Sequence, residues 1–197
     1  MKLKPREWGL IVAAVVITGL CWWRAVTPPR SKAMSQIMVE DRRPAPSFEL
    51  LDKELKRFSL NAYLHRHSIL IVFFDRTEDV KSNAILKRLK DVYPVLKSNR
   101  IIVCAITNLL PQQVRAGDAS QLPFPVLSDV ASGQMDSPTV AWGRAAEEPV
   151  VSDQSAGIAG GVFYIDRLGL VDWNGNAPRP VDNPQHMINA LITGEIQ

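Results

Sequence analysis

Residues 68–107 read SILIVFFDRTEDVKSNAILKRLKDVYPVLKSNRIIVCAIT and contain the pattern from which the architecture is predicted. Residues 69–74 form an apolar run that is rich in β-branched and aromatic residues and too short for a helix, which predicts a buried strand. After a polar break, apolar residues recur at the three- and four-residue spacings of an amphipathic helix: Val80, Ala84, Ile85, Leu89, Val92, Tyr93 and Leu96. Residues 101–106 predict a second buried strand. Two such strands joined by a helix predict a right-handed crossover in an α/β or α+β sheet.

The flanking segments add further predicted elements. Upstream, residues 47–51 and 56–60 read as short strands, and Asn61 begins a short helix that reaches Arg66. Downstream, residues 111–121 predict a short helix and loop, and residues 124–127 predict a strand followed by a helical turn at Ser128. Residues 162–165 and 170–173 predict a closing hairpin. A last helix opens at Asn183 or Pro184, with an inner face of Met187, Ile188, Leu191 and Ile192.

Three of these segments, in their order, resemble the thioredoxin-like redoxins. They are RPAPSFELLDKELKRFSLNAYLHRHSILIVFF (residues 43–74), LPFPVLSDVASGQMDSPTVAWGR (122–144) and GGVFYIDRLGLVDW (160–173). The resemblance is to the peroxiredoxin (alkyl hydroperoxide reductase and thiol-specific antioxidant) group and to the membrane-anchored thiol-disulfide oxidoreductases. It covers residues 44–197 and implies a central mixed sheet flanked by helices.

The resemblance fails at the position of the reactive thiol. Where the thiol-disulfide enzymes carry Cys-x-x-Cys, this chain has Glu78 and Lys81, and residues 75–82 contain no cysteine. A thiolate is the nucleophile in both chemistries, and neither glutamate nor lysine can replace it. Where the families place a cis-proline or an arginine against the thiol, the chain has Gly160 and Gly161. We therefore expect a degenerate redoxin site, no cofactor and no small-molecule substrate.

The N-terminal residues predict a membrane anchor. After a tail of residues 1–8, residues 9–26 are long and apolar enough to span a bilayer, with Trp8 at one border and Trp22 and Trp23 near the other. A cleaved signal peptide is an alternative, although no small-x-small site follows the run. Lipidation of Cys21 is another, although the bulky Leu20 precedes it. Basic residues lie on both sides of the span. We expect a cytoplasmic N-terminus, with the domain on the periplasmic side of the inner membrane or in an equivalent lumen.

The segment between the span and the domain is a predicted linker or arm, residues 27–43. It contains two prolines and several charges, but also apolar residues that a free linker does not need. One reading places this arm on the domain's own surface, and the other places it on a neighbouring membrane protein. The residues proposed for partner contact combine small span residues and apolar arm residues: Gly9, Ala13, Gly19, Met34, Ile37 and Met38.

Composition excludes several classes of function. A net charge of +3 without a basic cluster argues against nucleic acid binding. The two cysteines, Cys21 and Cys104, lie in the predicted span and in a predicted strand, so an intrachain disulfide is not expected. His65 and His67 have no carboxylate or cysteine close in sequence, so we expect no metal site. Cys104 is expected to be a small buried core residue.

Three functions remain open from the sequence. The first is a non-catalytic anchored domain acting as an accessory or structural subunit of a larger membrane protein complex, such as a respiratory or photosynthetic electron-transfer complex. The second is a redoxin-type thiol oxidoreductase variant that uses Cys104, or another activity near Glu78 and Lys81. The third is a membrane-anchored assembly factor or chaperone.

Overall fold

The computed structural model describes residues 41–131, 134–146 and 157–195. In chain order its strands are β1 (Arg42–Pro44), β2 (Glu49–Asp52), β3 (Arg57–Ser59), β4 (Ser68–Phe73), β5 (Ile101–Thr107), β6 (Val126–Ser128), β7 (Gly161–Ile165), β8 (Leu170–Asn174) and β9 (Ala177–Pro178). The helices are α1 (Ala84–Ser98), α2 (Pro111–Ala116), α3 (Pro138–Ala141) and α4 (Pro184–Thr193), and short 3₁₀ turns cover Leu60–Ala62 and Asp118–Gln121.

The predicted crossover lies at the centre of the main sheet. Six strands follow the order β3-β2-β6-β5-β4-β7. β4 pairs with β5 in parallel, from Ser68 opposite Ile101 to Phe73 opposite Ile106. β5 and β6 are also parallel, while β7, β2 and β3 pair antiparallel with their neighbours. The sheet is therefore mixed, as predicted.

The two faces of this sheet carry separate apolar cores, because successive side chains of a strand point to opposite faces. On β4, Leu70 and Val72 pack with α1 and α4, whereas Ile69, Ile71 and Phe73 face the other side. That second core also contains Phe58, Leu60, Cys104, Trp142 and Phe163. Helices therefore cover one face, and α3 with the segments around β3 covers the other.

Helix α1 begins four residues later than the apolar spacing predicts. The Asn83 side chain accepts hydrogen bonds from the backbone amides of Ile85 (3.0 Å) and Leu86 (3.1 Å), so it caps the helix and fixes its first turn. Val80 precedes the cap, yet it still packs against the core. The buried residues of α1 are Leu86, Leu89, Val92 and Leu96. The last three belong to the predicted inner face, whereas Leu86 was not predicted and the predicted Ala84 is exposed.

The predicted closing hairpin is wrong in its pairing. β8 pairs with β1 and β9 in a three-stranded sheet, whereas β7 belongs to the main sheet. Asp166 shapes the intervening turn, where its carboxylate accepts the amides of Leu168 and Leu170 at 2.8 and 2.9 Å. Arg42 of β1 donates to Asp166 at 3.1 Å and to Asp172 at 3.0 Å. β1 and β8 are far apart in the sequence, so local periodicity cannot predict that they pair.

The N-terminal predictions lie outside the described residues. Residues 41–197 form one compact unit, and β1 includes Arg42 and Arg43, the last two residues of the predicted linker. Within the part of the chain that the structure describes, no helix is long and apolar enough to cross a membrane. The predicted span, residues 9–26, and the arm residues Met34, Ile37 and Met38 are not among the described residues.

Candidate functional site

The predicted site residues lie at one edge of the main sheet. β4 and β5 are parallel, so their C-terminal ends meet at this edge, and β7 starts there because Gly161 pairs with Phe73. The loop after β4, the residues after β5 and the residues before β7 therefore converge. In the redoxins that the sequence resembles, the reactive thiol occupies the first of these segments.

The centre of this edge is the carboxylate of Asp75. Its Oδ1 accepts hydrogen bonds from the Thr77 backbone amide at 2.9 Å and from the Thr77 hydroxyl at 2.8 Å. Its Oδ2 accepts from Asn108 Nδ2 at 3.1 Å and from the Ile158 amide at 2.8 Å. Asn108 also accepts the amide of Arg76 at 2.8 Å. One carboxylate thus joins the three segments that meet at the edge.

The surroundings of Asp75 favour its charged form. Burial by itself would raise the pKa of this carboxyl. The hydrogen bonds from Ile158, Thr77 and Asn108 outweigh burial, and the pKa of Asp75 lies below its ordinary value. A carboxylate with four donors is fixed in place and has little basicity, so it is suited to holding the loop rather than to accepting a proton.

Glu78 and Gly160, two of the predicted site residues, do come together. Glu78 Oε2 accepts from Asn83 Nδ2 at 2.7 Å, and Glu78 Oε1 accepts the Asp75 amide at 3.3 Å. A Cβ atom at Gly160 would lie 3.4 Å from Glu78 Oε1. The side chain at position 78 therefore points into the edge and is bound to the helix cap.

Lys81 and Gly161 have different neighbours. The Lys81 ammonium lies 2.9 Å from Asp118 and the side chain is largely exposed, so it forms a surface ion pair. A Cβ atom at Gly161 would lie 3.3 Å from Nη1 of Arg144. Arg144 itself donates to the Gly160 carbonyl at 3.3 Å and lies over the ring of Phe163 at 5.7 Å.

Arg144 is the residue at this edge that sequence reasoning missed. The polar composition of residues 144–157 predicts a surface excursion, but Ala145 forms a β-bridge with Ile158 and brings Arg144 back to the sheet. Partial burial lowers the pKa of Arg144. Neither its spacing nor its neighbours in sequence signals this position, because the bridge joins two residues that are 13 positions apart in the chain.

Cys104 is confirmed as a core residue. It lies on β5 opposite Ile71, is fully buried, and faces the core that contains Phe73 and Trp142. Burial raises the pKa of the Cys104 thiol to about 12. Almost none of this thiol is ionised at neutral pH, and it does not reach the surface.

In the described ranges, no three His, Cys, Asp or Glu side chains are arranged so that they could hold a metal ion. The His65 ring lies against the backbone of Gly169, where an added Cβ would be 3.1 Å from it. His67 Nδ1 donates to the Arg100 carbonyl at 3.2 Å. These two histidines therefore contact different parts of the chain.

A second feature, an apolar groove, was also missed by sequence reasoning. It has a volume of about 550 Å³ and lies beside β2, the turn before β3 and the start of α2. Its exposed apolar side chains are Leu51, Leu55, Leu110 and Val130. Leu55 is 56% exposed and has a φ of 62°, a left-handed conformation that leucine rarely adopts. These four residues come from separate segments, so no periodic pattern unites them.

The mixed sheet, the βαβ crossover and the loop after β4 together define a thioredoxin-like redoxin. Comparison of sequences makes the class more specific. Residues 42–173 match the model of the AhpC/TSA family, and the chain belongs to that family.

Comparisons with individual proteins agree with this family. A SCO2-like protein of Rickettsia felis is 30% identical over 108 residues, which are 53% of this chain and 54% of that protein. The chain spans about half the length of the curated relatives it matches. The bacterioferritin comigratory protein of Xanthomonas campestris, studied for alkyl peroxide reduction, has a TM-score of 0.57 at 16% identity, covering 76% of this chain and 92% of that chain. A thiol peroxidase from Chromobacterium violaceum has a TM-score of 0.54 at 21% identity, covering 78% and 87%.

Proposed function

We propose that this protein is a membrane-anchored, non-catalytic thioredoxin-like domain that serves as an accessory subunit of a larger membrane protein complex, for example a respiratory or photosynthetic electron-transfer complex. The observation that carries the proposal is the Asp75 network. At the edge where related proteins keep a reactive thiol, this chain has a carboxylate that accepts four hydrogen bonds from three segments. That arrangement stabilises the loop and supplies no nucleophile for disulfide exchange.

The state of Cys104 supports the absence of thiol chemistry. Thiol exchange needs a thiolate that can reach a disulfide or a peroxide. Cys104 is fully buried, and burial raises its pKa to about 12, so neither condition is met. The positions matched to a Cys-x-x-Cys motif instead bind a helix cap, through Glu78, and a surface aspartate, through Lys81.

The apolar groove supports a binding role. The backbone of Leu55 is strained, and more than half of the residue is exposed. Its side chain therefore contributes little to the stability of its own domain. Strained, exposed residues are often retained for contact with another molecule. We assign the groove to an apolar segment of a neighbouring subunit.

The anchor and the arm would bring the domain to that neighbour. Residues 9–26 would span the bilayer once, with the N-terminus cytoplasmic and the domain on the periplasmic or lumenal side. Small residues Gly9, Ala13 and Gly19 would let a neighbouring helix approach closely. The apolar arm residues Met34, Ile37 and Met38 would add contacts beside the membrane.

Copurification of the full chain from native membranes in mild detergent tests the proposal. We expect a defined set of membrane proteins to copurify with the wild type, fewer with Leu51→Ser combined with Leu110→Ser, and fewer when residues 9–26 are replaced by an unrelated apolar helix. Leu168→Ser is the matched control, because Leu168 is exposed and lies in the turn after β7. Purification of the wild type without any other membrane protein would contradict the proposal. Mass spectrometry of the extracted chain should find residues 1–26 present, and a mature N-terminus near Thr27 would remove the anchor.

The same groove favours a second candidate, an anchored assembly factor that holds client segments. The two roles differ in when the protein is bound to the complex and in its stoichiometry there. A subunit remains in the mature complex at a fixed ratio, whereas an assembly factor is found with incomplete complexes and is absent from the finished one. Quantitative mass spectrometry of complexes separated by size distinguishes them.

A further inference from the structure

A polar pocket lies at the end of the sheet opposite the Asp75 edge. It has a volume of about 420 Å³ and is formed where β4 and β5 begin and where α1 and α4 end. Its charged lining residues are two arginines, Arg100 and Arg167, and its lining contains no aspartate or glutamate. Ser68, Ile101 and Leu191 also line it.

The two guanidinium groups have no partner of opposite charge among the described residues. The ion pairs found there involve other cations, such as Arg42 with Asp166 and Arg57 with Glu49. Both arginines are exposed. Two unpaired cations on one concave surface raise the local potential and attract an anion.

The hydrogen bonds found at the ends of α1 and α4 do not involve the side chains of Arg100 and Arg167. At the end of α4, the side-chain amide of Asn99 donates to the Leu191 carbonyl at 3.1 Å. At the end of α1, the backbone amides of Asn99 and Arg100 donate to Val95 and Lys97. The arginine side chains are therefore available to a ligand.

The backbone at Arg100 is the second unusual feature. Its φ is 60°, the left-handed conformation that follows many helices and that favours glycine or asparagine. His67 Nδ1 donates to the Arg100 carbonyl at 3.2 Å and fixes this turn. An arginine at a position that favours glycine places a cation at the mouth of the pocket at a cost in stability.

Ser68 provides a buried donor. It is 3% exposed, and its Oγ accepts a hydrogen bond from the Tyr164 hydroxyl at 3.2 Å. An accepted bond leaves the serine hydroxyl proton available to donate to a ligand.

We propose that this pocket binds a phosphate-type oxyanion. Arg100 and Arg167 would hold the charge, because guanidinium groups match the geometry of phosphate oxygens. Ser68 would donate a further hydrogen bond, and the pocket volume of about 420 Å³ leaves room for an ester group. The anion can be a free phosphate or the phosphodiester of a lipid headgroup. This proposal is independent of the accessory-subunit role.

Thermal unfolding of the full chain in mild detergent tests the site, comparing inorganic phosphate with chloride at equal ionic strength. Phosphate at about ten times its dissociation constant should raise the unfolding midpoint by about 3–6 °C. In Arg100→Gly and Arg167→Gln the rise should fall below about 1 °C. Arg100→Gly should lose no basal stability, because glycine suits a φ of 60°. Arg57→Gln, which removes an exposed paired arginine elsewhere, should respond like the wild type.

Two further measurements complete the test. In ¹⁵N spectra the Nε signals of Arg100 and Arg167 should move with added phosphate, while that of Arg57 should not. Glycerophosphoglycerol, a soluble headgroup phosphodiester, identifies the source of the anion. A response to the diester alone assigns the pocket to lipid headgroups, and a response to inorganic phosphate alone assigns it to free phosphate. No response to either probe, or an equal response in the pocket variants, would overturn the proposal.

Discussion

The Asn108 side-chain amide donates to the Asp75 carboxylate at 3.1 Å and joins the loop after β4 to the end of β5. The two residues are 33 positions apart in the chain. They meet because β4 and β5 are parallel neighbours, so the residues that follow each strand lie side by side. At the edge where the redoxins that it resembles keep a reactive thiol, this chain therefore has a polar contact between two segments.

Asp75→Asn should lower the free energy of unfolding by about 1–2 kcal/mol at pH 7, because an amide nitrogen would face hydrogen-bond donors. The effect should depend on pH. The folded-state pKa of Asp75 is lowered, so its stabilisation is fully present above the unfolded pKa of about 3.9 and is lost as pH falls through the folded pKa. Urea unfolding at a series of pH values should show the free energies of unfolding of the wild type and of Asp75→Asn converging below pH 4.

Glu49→Gln, an exposed ion-pair control, should change the free energy of unfolding by less than about 0.5 kcal/mol at pH 7.

Asn83→Ala should destabilise the domain by about 1 kcal/mol, because α1 loses its cap and Glu78 loses a donor. Asn83→Ser retains a capping oxygen and should recover most of this loss. Chemical denaturation of the two variants measures the difference. Equal destabilisation by both substitutions would show that the cap does not matter.

Leu55→Asn should leave stability unchanged or raise it by up to about 1 kcal/mol, because asparagine tolerates a φ of 62° better than leucine. Leu55→Ala is the matched comparison, since alanine removes the apolar side chain but keeps the strain. A clear loss of stability in both variants would indicate that Leu55 supports the fold rather than a partner.

Cys104 should resist alkylation in the native protein at pH 8 and react fully in denaturant, because its buried thiol has a pKa of about 12. Peptide mapping after iodoacetamide treatment, in a Cys21→Ser background, reports on Cys104 alone. Rapid modification under native conditions would contradict the burial.

The sequence was sufficient for the crossover, because β4, α1 and β5 are contiguous. The two strands are continuous apolar runs, and the helix has a clear three- and four-residue spacing. The resemblance to redoxins also predicted that Glu78 and Gly160 belong to one site, although they lie in distant segments of the chain. It did not predict the partner of β8, the position of Arg144 or the Leu55 groove, since each depends on contacts between segments far apart in the chain. The start of α1 was displaced because the Asn83 cap overrides the apolar spacing that extends back to Val80.

Lys81 shows the limit of reasoning from alignment to a motif. The matched Cys-x-x-Cys position suggested that it belongs with Glu78, but the two side chains diverge, one to Asp118 and the other to Asn83. Helix α1 starts only after Lys81, so the loop before it follows no regular period that could orient both residues.

Peroxide consumption tests the proposed absence of thiol chemistry. The full chain, its Cys104→Ser variant and a variant lacking both cysteines should be assayed with hydrogen peroxide and an alkyl hydroperoxide in the presence of a thiol reductant. We expect all three proteins to consume peroxide no faster than the reductant alone. Peroxide consumption by the wild type that disappears in Cys104→Ser, or in the variant without cysteines, would contradict it.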